Sequence, residues 1–244
     1  AFTLAGVESN IVVVRNQTPD ELAASVCELT KALKESQILM LPGGFSAGDE
    51  PEGSAKFIAA IFCDPALKEA VAAHLDRKNL ILGICNGFQA LVKLGLLPYG
   101  EIRDLSDEDP TLTFNRIGRH ISTMARTKLI SKLSPWYSEA ELGKIYTVPI
   151  SHGEGRFVAP MGVLGNMIAK GQIATQYVNA AGKTTMIAPD NPNGSVMAIE
   201  GITDETGLIL GKMGHSERYR KGLYKNIPGD FDQKIFLSGV KYFD

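Results

Sequence analysis

The sequence is poor in cysteine and tryptophan and has no excess of either charge. Its three cysteines, Cys27, Cys63 and Cys85, are widely spaced and form no CxxC pair. That argues against a disulfide framework and a cysteine-based zinc site, and it fits a reducing, cytoplasmic setting. Lys and Arg number 25 against 27 Asp and Glu, for a formal net charge of −2. Without a basic cluster, no nucleic-acid surface is expected. No apolar run approaches the roughly 20 residues that a membrane-spanning helix needs. No charged-then-apolar leader is legible at the start.

What is present is a chain of 244 residues, 44% hydrophobic, enough for one large domain. Residues 11–14 are β-branched and read as a buried strand. Thr18 caps a helix that opens with Pro19, is reinforced by Glu21 and runs to about residue 35. Residues 37–41 and 80–84 read as further strands, and 51–62, 65–76 and 86–94 as helices. Strands alternating with helices imply a parallel sheet covered on both faces. Residues 1–6 look helical, so a central strand is expected upstream of Ala1, with this chain a piece of a longer one.

After residue 100 the texture changes. Residues 104–110 read as an acidic loop. Residues 120–130, 144–150, 172–178 and 195–202 read as strands of a more antiparallel extension. Residues 191–194 are a turn, 222–229 a loop and 231–236 a terminal helix. Cys27 and Cys63 sit among apolar residues and are expected in the core. His74, on an amphipathic helix, is expected at the surface.

The stretch Gly83-Ile84-Cys85-Asn86-Gly87 follows an apolar strand and opens a helix. It matches a Gly-x-nucleophile-x-Gly elbow with cysteine as nucleophile. The glycines remove side chains that would crowd the turn, and the helix start is expected to lower the thiol pKa. The alternative is a buried cysteine between helix-packing glycines. A cysteine nucleophile needs a base and an orienting group. In Gly214-His215-Ser216-Glu217-Arg218, residues two apart in an extended segment share a side, so Glu217 is placed to hold His215. Taken without Cys85, the same pattern reads as a turn histidine beside a surface Glu–Arg pair. Gly44, at the end of the second strand, and Asn86 offer backbone N–H groups for an oxyanion hole. The competing use of Gly43-Gly44, a phosphate cradle, lacks the lysine of a P-loop.

Taken together, PGGFSAGDE at 42–50, GICNGFQ at 83–89 and HSER at 215–218 resemble the class I, triad-type glutamine amidotransferases. With TLTFN at 111–115 and SHGEGRF at 151–157, the resemblance narrows to the glutaminase domains of phosphoribosylformylglycinamidine synthases. It implies a flavodoxin-like α/β fold, with a mostly parallel sheet between helices and a smaller antiparallel extension. It implies L-glutamine as substrate, hydrolysed through a thioester on Cys85, with His215 as base and Glu217 orienting it. Gln89 and the loop Ser151, His152, Gly153 and Glu154 would bind the substrate, and His152 is the nearest competitor to His215 as base. The domain itself would carry no cofactor. ATP and magnesium would sit on a synthetase domain or subunit, which receives the ammonia and converts formylglycinamide ribonucleotide to its amidine. Other readings are an amidotransferase with a different acceptor, a silent regulatory binding domain, and a cysteine hydrolase on the same scaffold.

Overall fold

The computed structural model describes residues 1–44 and 54–244. Residues 45–53 lie outside that description, and with them most of the PGGFSAGDE motif and the start of the helix expected from residue 51. Strands β1 (Ile38–Leu41) and β2 (Leu80–Ile84) are joined by helices α2 (Lys56–Phe62) and α3 (Pro65–Asp76), with α1 (Pro19–Glu35) preceding them. As expected, Thr18 caps α1, its hydroxyl accepting from the Glu21 N–H. Helix α4 (Asn86–Lys93) follows β2 directly, and the short α5 (Leu96–Tyr99) ends that unit.

The second half contributes β3 (Thr111–Phe114), β4 (Ile121–Leu129), β5 (Ile145–His152), β6 (Glu154–Val158), α6 (Met161–Ala169), β7 (Ile173–Tyr177), β8 (Ile199–Thr203), β9 (Ile209–Lys212) and α7 (Ile235–Lys241). One sheet runs in the order β1-β2-β9-β8-β7-β4-β5, and β3 pairs with β6 in a small separate sheet. β1, β2 and β9 are parallel neighbours, and from β9 to β5 each neighbour is antiparallel. The antiparallel extension is therefore continuous with the parallel part.

Four reversals of direction leave β5 running the same way as β2 and β9. The carboxyl ends of all three therefore face one edge of the sheet, where open α/β sheets bind ligands. The sheet also curls: the His215 N–H, just past β9, donates to Pro149 O of β5 at 2.8 Å. That curl closes the distance between the two halves of the chain.

Several expectations are corrected. Residues 11–14 form no strand, because a strand needs a ladder partner and none pairs with them among the described residues. Ile11 and Val13 are exposed. Residues 195–198 turn through a 3-10 segment before β8, and the terminal helix starts at Ile235, after Phe231. Cys27 and Cys63 are exposed, on the outer sides of α1 and the α2 end. His74 is wholly buried, its ring between the carbonyls of Leu33 and Leu80. Polar pairing, not surface exposure, satisfies it. Burial holds its pKa below the ordinary histidine value.

Candidate active site

The elbow is built by close packing. A Cβ on Gly87 would lie 1.9 Å from Leu41 O, and one on Gly83 2.5 Å from Leu91 Cδ1. Without those side chains, α4 packs directly against β1 and β2, and the corner residue carries the strain. Cys85 adopts φ 54°, in the region L-residues avoid. Its N–H donates to Lys212 O at 2.8 Å, which ties the corner to the end of β9.

The thiol is buried and donates toward Ser151 O at 3.7 Å. Burial pushes its pKa up to about 11, against the smaller opposing pull of the Asn86 and Gly44 amides at the sulfur. The expected lowering is thus reversed in the resting site. The helix start and both amides are present, but desolvation outweighs them.

His215 Nδ1 and Glu217 Oε1 are 2.5 Å apart. The expected partnership forms, but by a different backbone: Ser216–Arg218 is a 3-10 turn, not an extended segment. With Nδ1–H donated to the carboxylate, Nε2 is left as an acceptor, and it is buried without a partner. Burial alone would raise the Glu217 pKa, but the hydrogen bond and charge of His215 hold it below the ordinary value. Gly43 packs between the His215 ring and Cys85. A Cβ there would be 2.7 Å from His215 Cε1 and 3.1 Å from Cys85 Cβ.

The remaining expected residues converge on the same cleft, which Gly44, Cys85, Gln89, His152, Glu154 and His215 help to line. Ser151 and Gly153 also line it. Gln89 Nε2 donates to Glu154 O. Glu154 accepts the Ser54 N–H on Oε2 at 2.9 Å, and its buried Oε1 has no partner.

His152 differs from His215 in its support. Its Nδ1 meets Asn115 Oδ1 at 3.0 Å, with no carboxylate behind the ring. Burial, followed by the charges of His120 and His215, lowers its pKa to about 3. A histidine so hard to protonate is a poor candidate for a proton-carrying base.

Sequence reasoning missed Asn115, Ser54, Gly43 and Arg218 as members of the site. Asn115 organises the second loop: Nδ2 donates to His152 O at 2.8 Å, and Oδ1 accepts the Gly155 N–H at 3.2 Å. Its signal was the TLTFN motif. Arg218 lines the cleft and approaches Glu217 Oε1 at 3.8 Å. Among the described residues no three His, Cys, Asp or Glu side chains are grouped to hold a metal ion. Among the described residues no helix is long and apolar enough to cross a membrane.

A cysteine on a strained elbow beside a carboxylate-supported histidine, at the carboxyl edge of an α/β sheet, is an arrangement suited to nucleophilic thiol chemistry. The chain belongs to the CobB/CobQ-like glutamine amidotransferase domain family, whose model matches residues 1–243. Within it, the chain is similar to phosphoribosylformylglycinamidine synthase subunit PurQ of Chlorobium chlorochromatii. The two are 36% identical over 198 residues, covering 81% of this chain and 76% of that protein. PurQ of Dehalococcoides mccartyi is 34% identical over 99% of this chain and 90% of its own length. Among solved structures, PurLQS from Thermotoga maritima matches with a TM-score of 0.63 and 28% identity, covering 85% of this chain and 80% of that one. The glutaminase domain of Trypanosoma brucei CTPS, solved with bound acivicin, shares the fold at a TM-score of 0.53 and 15% identity, over 98% of this chain and 83% of its own.

Proposed function

We propose that the 244 residues form one domain, the glutaminase of a phosphoribosylformylglycinamidine synthase, and that Cys85, His215 and Glu217 are its catalytic triad. The observation that carries the reading is the His215 ring. One nitrogen is committed to Glu217 and the other is buried with no partner among the described residues, on a ring that lines the same cleft as Cys85.

In this reading glutamine enters with its side-chain amide over Cys85. A thiol with a pKa near 11 is protonated at rest, so His215 Nε2 removes the proton as sulfur attacks the amide carbon. The negative oxygen of the tetrahedral intermediate meets the N–H groups of Asn86 and Gly44, the same amides that already favour charge at the sulfur. The imidazolium, stabilised by the Glu217 carboxylate, protonates the departing ammonia and leaves a γ-glutamyl thioester. His215 then takes a proton from water as hydroxide adds to the thioester carbon, the C–S bond breaks, the imidazolium returns its proton to the Cys85 sulfur, and glutamate leaves.

Gln89 and the loop from Ser151 to Glu154 hold the amino-acid end of glutamine. The unpartnered Glu154 oxygen suits its ammonium and the Arg218 guanidinium its carboxylate. Ammonia passes to a synthetase partner in the cytoplasm. There, ATP and magnesium activate the amide of formylglycinamide ribonucleotide.

The test is labelling with 6-diazo-5-oxo-norleucine, with and without the synthetase, followed by peptide mapping. The reading expects one adduct, on Cys85, blocked by excess glutamine. No adduct on Cys85 in the assembled, folded enzyme would overturn it.

A further inference from the structure

Lys212 and Glu200 are both wholly buried, and their charges pair at 3.1 Å between Nζ and Oε1. A buried ion pair contributes little stability over a well-packed apolar pair, because both charges lose their water. Its position is therefore what calls for explanation. Lys212 is the last residue of β9, and the chain reaches His215 three residues later. Glu200 lies on the neighbouring strand β8, where Gly201 is opposite Lys212.

The pair grips Gly214 from both sides. The Gly214 N–H donates to Glu200 Oε1 at 2.7 Å, and Gly214 O accepts from Lys212 Nζ at 2.9 Å. The next N–H, that of His215, donates to Pro149 O at 2.8 Å. The peptide unit joining Gly214 to His215 is thus held at both polar atoms. No side chain fits at Gly214, where a Cβ would be 2.8 Å from Glu200 Oε1 and 2.9 Å from Lys212 Nζ. The far oxygen of Glu200 is anchored in turn, accepting from Thr175 Oγ1 at 2.5 Å. Meanwhile the backbone carbonyl of Lys212 accepts the Cys85 N–H at 2.8 Å. One residue therefore holds the nucleophile's backbone with its carbonyl and the base's backbone with its ammonium.

We propose that the Lys212–Glu200 pair is a positioning device that sets the His215 imidazole against Cys85, an inference that rests on the triad reading above. An apolar pair would fill the same space but would leave Gly214 O without its donor and Gly214 N–H without its acceptor. The peptide plane would then be free to tilt, and the ring it carries would move. The charge of Lys212 also adds, as the smallest contribution, to holding Glu217 ionised.

The test uses the enzyme assembled with its synthetase. The double variant Lys212→Met/Glu200→Leu removes both charges while keeping bulk, so neither is stranded. We expect its glutamine-dependent kcat to fall ~10–100-fold with the KM for glutamine within about threefold, as for a misplaced catalytic group. Its Tm should fall, because two buried backbone groups lose their partners, while the ammonia-dependent rate should stay near wild type. A stable double variant with unchanged kcat would overturn the proposal and leave the pair as packing. Should that variant fail to fold, Thr175→Val loosens Glu200 with the ion pair intact. It is expected to lower kcat about three- to tenfold with KM unchanged, and an unchanged kcat there overturns the proposal equally. Cys85→Ala separates the two readings. If it keeps the glutamine-dependent rate, the triad reading fails. If it loses that rate while the Lys212 and Thr175 variants keep theirs, only the positioning inference fails.

Discussion

Gly43 lies against the imidazole of His215, with no room for a carbon between them: a Cβ would stand 2.7 Å from Cε1. It would also stand 3.1 Å from Cys85 Cβ, so the glycine sets the spacing of the proposed base and nucleophile. Gly43→Ala is expected to push the ring aside and lower glutamine-dependent turnover by about 100-fold. Ammonia-dependent synthesis by the assembled enzyme should be retained. Steady-state assays with each nitrogen source check this, and equal loss of both would mean that the fold, not the ring, had been disturbed.

Cys85→Ala and His215→Ala should each abolish glutamine-dependent activity and leave ammonia-dependent activity in place. Glu217→Gln keeps the shape but removes the charge that stabilises the imidazolium. It is expected to cost about two to four orders of magnitude in kcat, by analogy with other triad carboxylates. Parallel loss of both activities in these variants would count against the division of labour between the two partners.

The resting thiol of Cys85 has its pKa raised to about 11 by burial. Below that value the thiolate fraction grows about tenfold per pH unit. Alkylation of Cys85 by iodoacetamide, followed by peptide mass spectrometry, should therefore rise about tenfold from pH 7 to 8 and keep rising beyond pH 9. The exposed Cys27 and Cys63 should be labelled first at neutral pH. A plateau at Cys85 below pH 8 would reveal a thiolate already formed at rest.

His152, with its pKa lowered to about 3, is held neutral in the fold. Its unfolded counterpart takes a proton near pH 6.5. Between those values the unfolded state binds more protons, so stability is complete above about pH 6.5 and falls on acidification. His152 should contribute a slope approaching ~1.4 kcal/mol per pH unit over that range. Buried His74, whose pKa is also lowered, should act in the same direction. Urea unfolding of wild type and His152→Asn at pH 7 and 5 checks this, and identical pH slopes for the two proteins would refute it.

The chemistry of the site was legible wherever it depended on neighbours in sequence. GICNGFQ announced its elbow because only glycine permits that corner, and α4 starts where the motif ends. The partnership of His215 and Glu217 was legible from their spacing, although a tight turn and not an extended segment produces it. Thr18-Pro19 marked the start of α1 because a cap and a fixed φ act locally.

What failed depended on partners far away in the chain. The β-branched residues 11–14 have strand propensity, but propensity cannot supply a ladder. The amphipathic pattern around His74 put it outside, but Leu33 and Leu80 supply carbonyls that make burial tolerable. The thiol of Cys85 was expected to be acidic from its helix start, and desolvation by burial decided otherwise.

Sequence alone was enough for the elbow, for the residues proposed as nucleophile, base and orienting carboxylate, and for the alternation of strands and helices in the first half. These rest on backbone sterics and on contacts within a few residues. It took the folded chain to show that β5, four antiparallel steps across a curled sheet from β9, brings Ser151 through Glu154 onto Cys85. The fold alone placed a buried ion pair from β8 and β9 beneath His215. Both depend on register and curvature across distant strands, which are set by how the whole core packs and not by any short stretch of residues.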